Sequence, residues 1–158
     1  MSDVRDLLHQ TADLAADFLD SLDERPVSPH TTPQEVRARI ELPLPDGPTD
    51  PADVVAELAE SCDPGLVAMA GGRYFGFVIG GSLPAALAAD WLTSAWDQNA
   101  GLYVAGPAAS VVEEVARGWL CDLLALPHDA SIGYVTGTQM AHVTGLAAAR
   151  YEMLRRVG

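Results

Sequence analysis

Four prolines, Pro33, Pro51, Pro84 and Pro107, each head a stretch whose apolar residues recur at three- and four-residue steps. Proline has no amide hydrogen, but a first helical turn has no intrahelical use for one, and the ring already fixes φ near the helical value. The chain is thereby divided into short helices whose starting points are set locally. Thr32-Pro33-Gln34-Glu35 has the spacing of a capping box and predicts a helix to about Ile40. Asp50-Pro51-Ala52-Asp53 predicts another, with Val54, Val55 and Leu58 inward, ending near Asp63-Pro64-Gly65. Pro84 to Trp96 and Pro107 to Leu126 follow, the second stopped by Pro127. Ahead of them Val4, Leu7, Leu8, Leu14, Phe18 and Leu22 form one stripe of an amphipathic helix whose other face is aspartate. That stripe needs an apolar surface to cover it, from this chain or another. Twenty-five alanines leave room for close helix approach.

Two segments depart from helical periodicity. Gly71 to Gly81 is an aromatic and β-branched run fenced by glycine pairs, a loop or short extended segment whose backbone passes close to something. Ser131 to Thr136 alternates as a short strand, Gly137 turns it, and a helix resumes from Gln139 to Arg156. The expected architecture is mostly α-helical, with one strand near 131–136 and a change of texture at residue 71. Residues 1–70 and 71–158 thus differ in texture.

Charge excludes several functions. All nine basic residues are arginines and lysine is absent, so this chain supplies no amine nucleophile and no P-loop lysine. A net charge of −13 offers no basic face for nucleic acid. Fifteen of the 22 acidic residues lie in residues 1–63, which reads as solvated helices followed by a more buried remainder. Cys62 and Cys121 have neither disulfide-framework nor metal-ligand spacing and are expected to be reduced, buried thiols. Acids stand where a secretory leader would be basic, and the apolar runs are interrupted within a dozen residues. A cytoplasmic, soluble protein without a membrane or metal partner is expected.

Thr136-Gly137-Thr138-Gln139 places two hydroxyls, an amide and free N–H donors at the positive end of a helix. A phosphate monoester suits that geometry, although threonine also caps helices with no ligand present. An independent phosphate-binding domain is one function open to such a chain. A non-catalytic association module built from the acidic helices is another.

The runs Tyr74 to Pro84, Asp90 to Asn99, Pro107 to Trp119 and Gly133 to His142, with Leu146 to Arg150, resemble in their order the group II pyridoxal-phosphate-dependent amino-acid decarboxylases. The resemblance is strong over residues 72–150 and softer over the acidic arm. It implies the α/β fold of PLP-dependent transferases, fold type I. By the same resemblance Gly137, Thr138 and Gln139 hold the cofactor phosphate, and His142 stands where the family commonly has asparagine. His142 reads as a polar residue on the helix face. Phe77, Val78 and Ile79, with Leu102 and Tyr103, match substrate-pocket positions, the latter loop often lent across a dimer interface. Plain hydrophobic packing is the other reading of these five side chains. Their apolar character suits an aromatic or aliphatic amino acid. The family's lysine, pyridinium-paired aspartate and ring-stacking histidine correspond to nothing in this sequence, so no catalytic residue is expected here. The resemblance therefore implies the N-terminal portion of a decarboxylase, inactive alone, with residues 1–70 a dimerising helical arm and 71–158 the truncated start of the large PLP-binding domain. It would act with a complementing C-terminal polypeptide as half of a split enzyme, or as a homodimer of a longer protein.

Overall fold

The computed structural model describes residues 3–158, and the chain forms two compact units, Met1–Ala88 and Ala89–Gly158. The first unit begins with helix α1, Val4–Asp20, capped by the Asp3 carboxylate, which accepts from the Arg5 amide, and closed by a 3-10 turn at Ser21–Asp23. Helix α2, Pro33–Ile40, has the predicted capping box in full. The Glu35 amide donates to the Thr32 hydroxyl at 3.2 Å, and the Thr32 amide donates to the Glu35 carboxylate at 2.7 Å. Helix α3, Pro51–Cys62, is capped by Asp50, which accepts from the Ala52 amide at 3.0 Å, and runs into a 3-10 turn at Asp63–Gly65. Helix α3 packs on both α1 and α2.

Arg25 ties this unit together. Its guanidinium lies 4.5 Å from the Phe18 ring centroid, and its Nη2 donates to Asp63 Oδ1 at 2.7 Å and to the Asp63 carbonyl at 3.2 Å. Its Nη1 donates to Ser21 Oγ. One side chain thus joins the end of α1 to the end of α3 across 38 residues of sequence. An apolar groove lined by Leu14, Phe18, Val55, Leu58 and Leu66 remains open beside it.

Helix α4, Pro84–Trp96, starts and stops where the sequence predicts. In the second unit helix α5 is Pro107–Leu123, three residues shorter than expected. It ends in a Schellman-type turn: Leu126 N–H donates to Cys121 O at 2.9 Å and Ala125 N–H to Asp122 O at 3.4 Å. Ala125 takes the left-handed position, φ 51°, where glycine is usual. Helix α6 is Thr138–Val157. Near its end the Glu152 carboxylate is held below its ordinary value by hydrogen bonds from Arg155 and then Arg156, which lie in the last turn.

The strand expected at 131–136 does not form, and no strand occurs among the described residues. The segment from 131 to 135 is irregular and is tied to α5 by the Tyr134 hydroxyl, which donates to the Glu113 carbonyl at 3.0 Å. A strand exists only against a ladder partner, and an alternating run flanked by helices finds none within this chain.

Hydrophobic closure is slight. Among the described residues Ala68, Cys121 and Gly106 alone are buried, Ala68 at 2% and Cys121 at 1% exposure. Cys121 fits the expectation of a reduced, buried thiol, and Cys62 is free but only half-buried. The accessible surface is 12,922 Å², whereas a closed monomer of this mass would show about 7,600 Å². Despite the alanines, α5 and α6 make no close backbone approach to each other. The stripes that periodicity assigns to a core, such as Val112, Trp119 and Leu123, are exposed.

Candidate functional site

The three residues expected to hold an anion, Gly137, Thr138 and Gln139, lie at the start of α6 in the second unit. Gly137 is the N-cap, in fully extended backbone, and has no side chain with which to cap the helix. Its carbonyl accepts the first helical bond, from Ala141 at 3.0 Å. The amides of Thr138, Gln139 and Met140 therefore precede the first residue with an intrahelical acceptor. No acidic side chain stands in the first turn to neutralise the dipole. All three site residues are exposed, so the donors open outward. The surroundings thus offer a small anion several N–H groups, the hydroxyl of Thr138 and the amide of Gln139. His142 sits one turn below Thr138 on the same helical face and is exposed.

The five pocket candidates fall in two places. Leu102 and Tyr103, in the second unit, occupy a tight loop closed by hydrogen bonds from the Ala105 and Gly106 amides to the Leu102 carbonyl. Gly106 is required there, because a Cβ on it would overlap the Asn99 carbonyl oxygen. Both side chains are exposed. Phe77, Val78 and Ile79 belong to the first unit, in a four-residue turn closed by the Ile79 amide donating to the Gly76 carbonyl at 3.1 Å. Phe77 (φ 51°) and Val78 (φ 58°) are both left-handed, the signature of a type I′ turn normally built from Asn and Gly. A β-branched residue there is an outlier, and two such residues in succession store strain of the kind found at functional sites. Phe77 is 91% and Val78 105% exposed, so neither serves as packing within this chain.

The sequence reading missed two residues, Arg25 and Arg73. Nη2 of Arg73 donates to the carbonyls of Leu22 at 2.9 Å and Arg25 at 2.7 Å, which joins the base of the glycine-fenced segment to the end of α1. The available signal was that every basic residue is arginine, a long side chain with five N–H donors that can serve several acceptors at once. No group of three or more His, Cys, Asp or Glu side chains suited to a metal occurs among the described residues. Nor is any described helix long and apolar enough to cross a membrane.

Comparison with known proteins gives the site a context. No family model matches the sequence. Tryptophan decarboxylase 1 of Oryza sativa subsp. japonica is 32% identical over 168 residues, which covers 99% of this chain and 32% of the relative. The aromatic-L-amino-acid decarboxylase of Rattus norvegicus is 28% identical over 156 residues, again spanning 32% of the relative. Among solved structures, Oryza sativa TDC with PLP and tryptamine superposes with a TM-score of 0.83 at 31% identity, covering 99% of this chain and 33% of that one. Rhodiola rosea 4-hydroxyphenylacetaldehyde synthase superposes with a TM-score of 0.77 at 25% identity, covering 99% of this chain and 35% of that one. The chain spans about a third of the length of these relatives, and its helices are those of the N-terminal part of a fold type I enzyme. Its homologues are aromatic-amino-acid decarboxylases, of the group II pyridoxal-phosphate-dependent decarboxylases.

Proposed function

We propose that this chain is the N-terminal portion of a pyridoxal-phosphate-dependent decarboxylase of aromatic amino acids, contributing the phosphate cradle and part of the substrate wall. The observation that carries the reading is agreement in fold and sequence over 99% of the chain with an enzyme solved with PLP and tryptamine. The chain's own residues fit one end of that cofactor. The uncapped start of α6 suits a phosphate, with Gly137 admitting it close to the backbone and Thr138 and Gln139 adding side-chain donors. Bound there, the cofactor supplies a pyridine ring as the electron sink for loss of the α-carboxylate as carbon dioxide. No lysine is present to bind the cofactor's aldehyde, so that amine must come from residues outside this chain. Phe77, Val78, Ile79, Leu102 and Tyr103 present apolar surface, which suits the side chain of an aromatic amino acid and helps exclude water from it. In this reading residues 1–70 form a dimerising arm and 71–158 open the cofactor domain, and the complete protein is a cytoplasmic homodimer.

Two measurements test the reading. Pyridoxal phosphate and inorganic phosphate, titrated separately, should both shift the amide resonances of Gly137 to Met140, and borohydride should trap no cofactor on the chain. Carbon dioxide should be released from an aromatic amino acid only when a lysine-bearing polypeptide corresponding to the remainder of the relatives is added. Release by the purified chain alone would refute the division of labour.

The large exposed apolar surface favours one second reading, a non-catalytic module that associates with a full-length paralogue. Sedimentation as a monomer that binds no hydrophobic dye would exclude it.

A further inference from the structure

We propose that Arg73 is a positioning residue that holds the strained turn Gly76–Ile79 in place, and so sets how the Phe77 to Ile79 wall is presented to an apolar amino-acid side chain. The inference rests on the pocket reading of that wall.

Strained backbone persists only where its surroundings over-determine it. The tip of this turn has no such surroundings in the chain, because Phe77 and Val78 project almost wholly into solvent. Its restraints must therefore act at its base. There the Tyr74 amide donates to the Gly71 carbonyl and the Gly71 amide to the Ala68 carbonyl, both at 3.2 Å. Glycines at 72 and 80 have open space around them and resist nothing. Among the described residues, the hydrogen bonds that connect residues 71–81 to distant sequence are the two from Arg73 Nη2, across 51 and 48 residues. They end on the Leu22 carbonyl, in the 3-10 turn that closes α1, and on the Arg25 carbonyl two residues past that turn. A guanidinium suits both needs. Its charge meets the negative end of the helix, and two hydrogens on one nitrogen reach two acceptors at once.

The test is amide hydrogen exchange on the full chain and on its Arg73→Gln and Arg73→Lys variants. Arg73→Gln should speed exchange at Ile79 and Tyr74 about tenfold, with the amides of α1 and α3 within about twofold of wild type. Arg73→Lys, which keeps the charge and can reach a carbonyl, should recover part of the protection. Unchanged exchange at Ile79 in Arg73→Gln, or uniform acceleration through α1 and α3, would overturn the proposal. In enzyme reassembled with its lysine-bearing remainder, Arg73→Gln should raise KM for an aromatic amino acid several-fold and leave kcat within about twofold. A KM unmoved by Arg73→Gln but raised by Phe77→Ala would also overturn it. A KM unmoved by Phe77→Ala would instead refute the pocket reading, and the exchange result would still judge the anchor.

Discussion

Replacing Arg25 by alanine should destabilise the first unit by about 2 kcal/mol, a figure assembled from four separate contacts. The guanidinium over Phe18 is a cation–π contact of roughly 0.5–1 kcal/mol at a partly exposed site. The ion pair with Asp63 is short, at 2.7 Å, but the Asp63 side chain is 55% exposed against 14% for Arg25. Solvent screening therefore limits it to roughly 0.5 kcal/mol. The bonds to the Asp63 carbonyl and to Ser21 Oγ are replaceable by water and together contribute about 1 kcal/mol. In a unit of this size, 2 kcal/mol should lower the midpoint of thermal unfolding by roughly 10 °C. Circular dichroism at 222 nm, with Arg25→Ala and Arg25→Lys beside wild type, would measure it. Lysine keeps the charge and loses the fork, so it should recover less than half of the loss. Adding salt should narrow the difference only by the ion-pair share, because the ring contact and carbonyl bond are nearly salt-insensitive. An Arg25→Ala midpoint within 2 °C of wild type would refute the view that this side chain ties α1 to α3.

Other outcomes follow from single contacts. Ala125→Gly removes a left-handed penalty of about 1–2 kcal/mol at the end of α5 and adds unfolded-state entropy, so a net gain of about 0.5 kcal/mol should appear as a higher unfolding midpoint. Gly106→Ala drives a Cβ into the Asn99 carbonyl and should cost about 1–3 kcal/mol, with lost exchange protection at the Gly106 amide. Glu35 is held below its ordinary value of 4.5 chiefly by the Thr32 backbone amide, then by the Thr32 and Thr31 hydroxyls. Because the folded-state value is depressed, the stabilisation is complete above the unfolded value and is lost as pH falls through the folded one. Helicity of α2, followed by residue-resolved chemical shifts, should therefore decline below about pH 4.5. Thr32→Ala keeps the backbone bond but removes the Thr32 hydroxyl, so it should make that decline smaller.

Features decided within a few residues were legible in the sequence. Thr32 and Glu35 cap each other, Asp50 reaches an amide two residues on, and Pro84 to Trp96 is bounded as its periodicity predicts. The start of α6 was legible for the same reason, since a glycine between an apolar run and a helical stripe marks a helix entrance. Features whose cause lies elsewhere were not legible. Residues 131–136 carry the alternation of a strand, but a ladder needs a partner and none occurs among the described residues. Helix α5 stops before Leu126 because Ala125 adopts a conformation its side chain disfavours, which propensity does not predict. Arg25 and Arg73 act across 38 to 51 residues, beyond any local pattern.

The absence of lysine and the scarcity of buried residues lead to the same conclusion from different physics. A phosphate needs donors and a positive dipole, and one helix start provides both. The aldehyde needs an amine, and no residue of this chain offers one. Helices with stripes such as that of α5 need an apolar surface opposite, yet Val112, Trp119 and Leu123 face solvent. The missing chemical partner and the missing packing partner are thus complementary demands, and one polypeptide carrying the rest of a fold type I domain would meet both. Packing free energy should then couple to cofactor binding. On the proposed function, such a remainder would cover the apolar stripes and bring its amine to a phosphate bound at the start of α6. Cofactor affinity of the mixture should exceed that of either piece by more than the sum of their separate effects, because each binding event prepares the other.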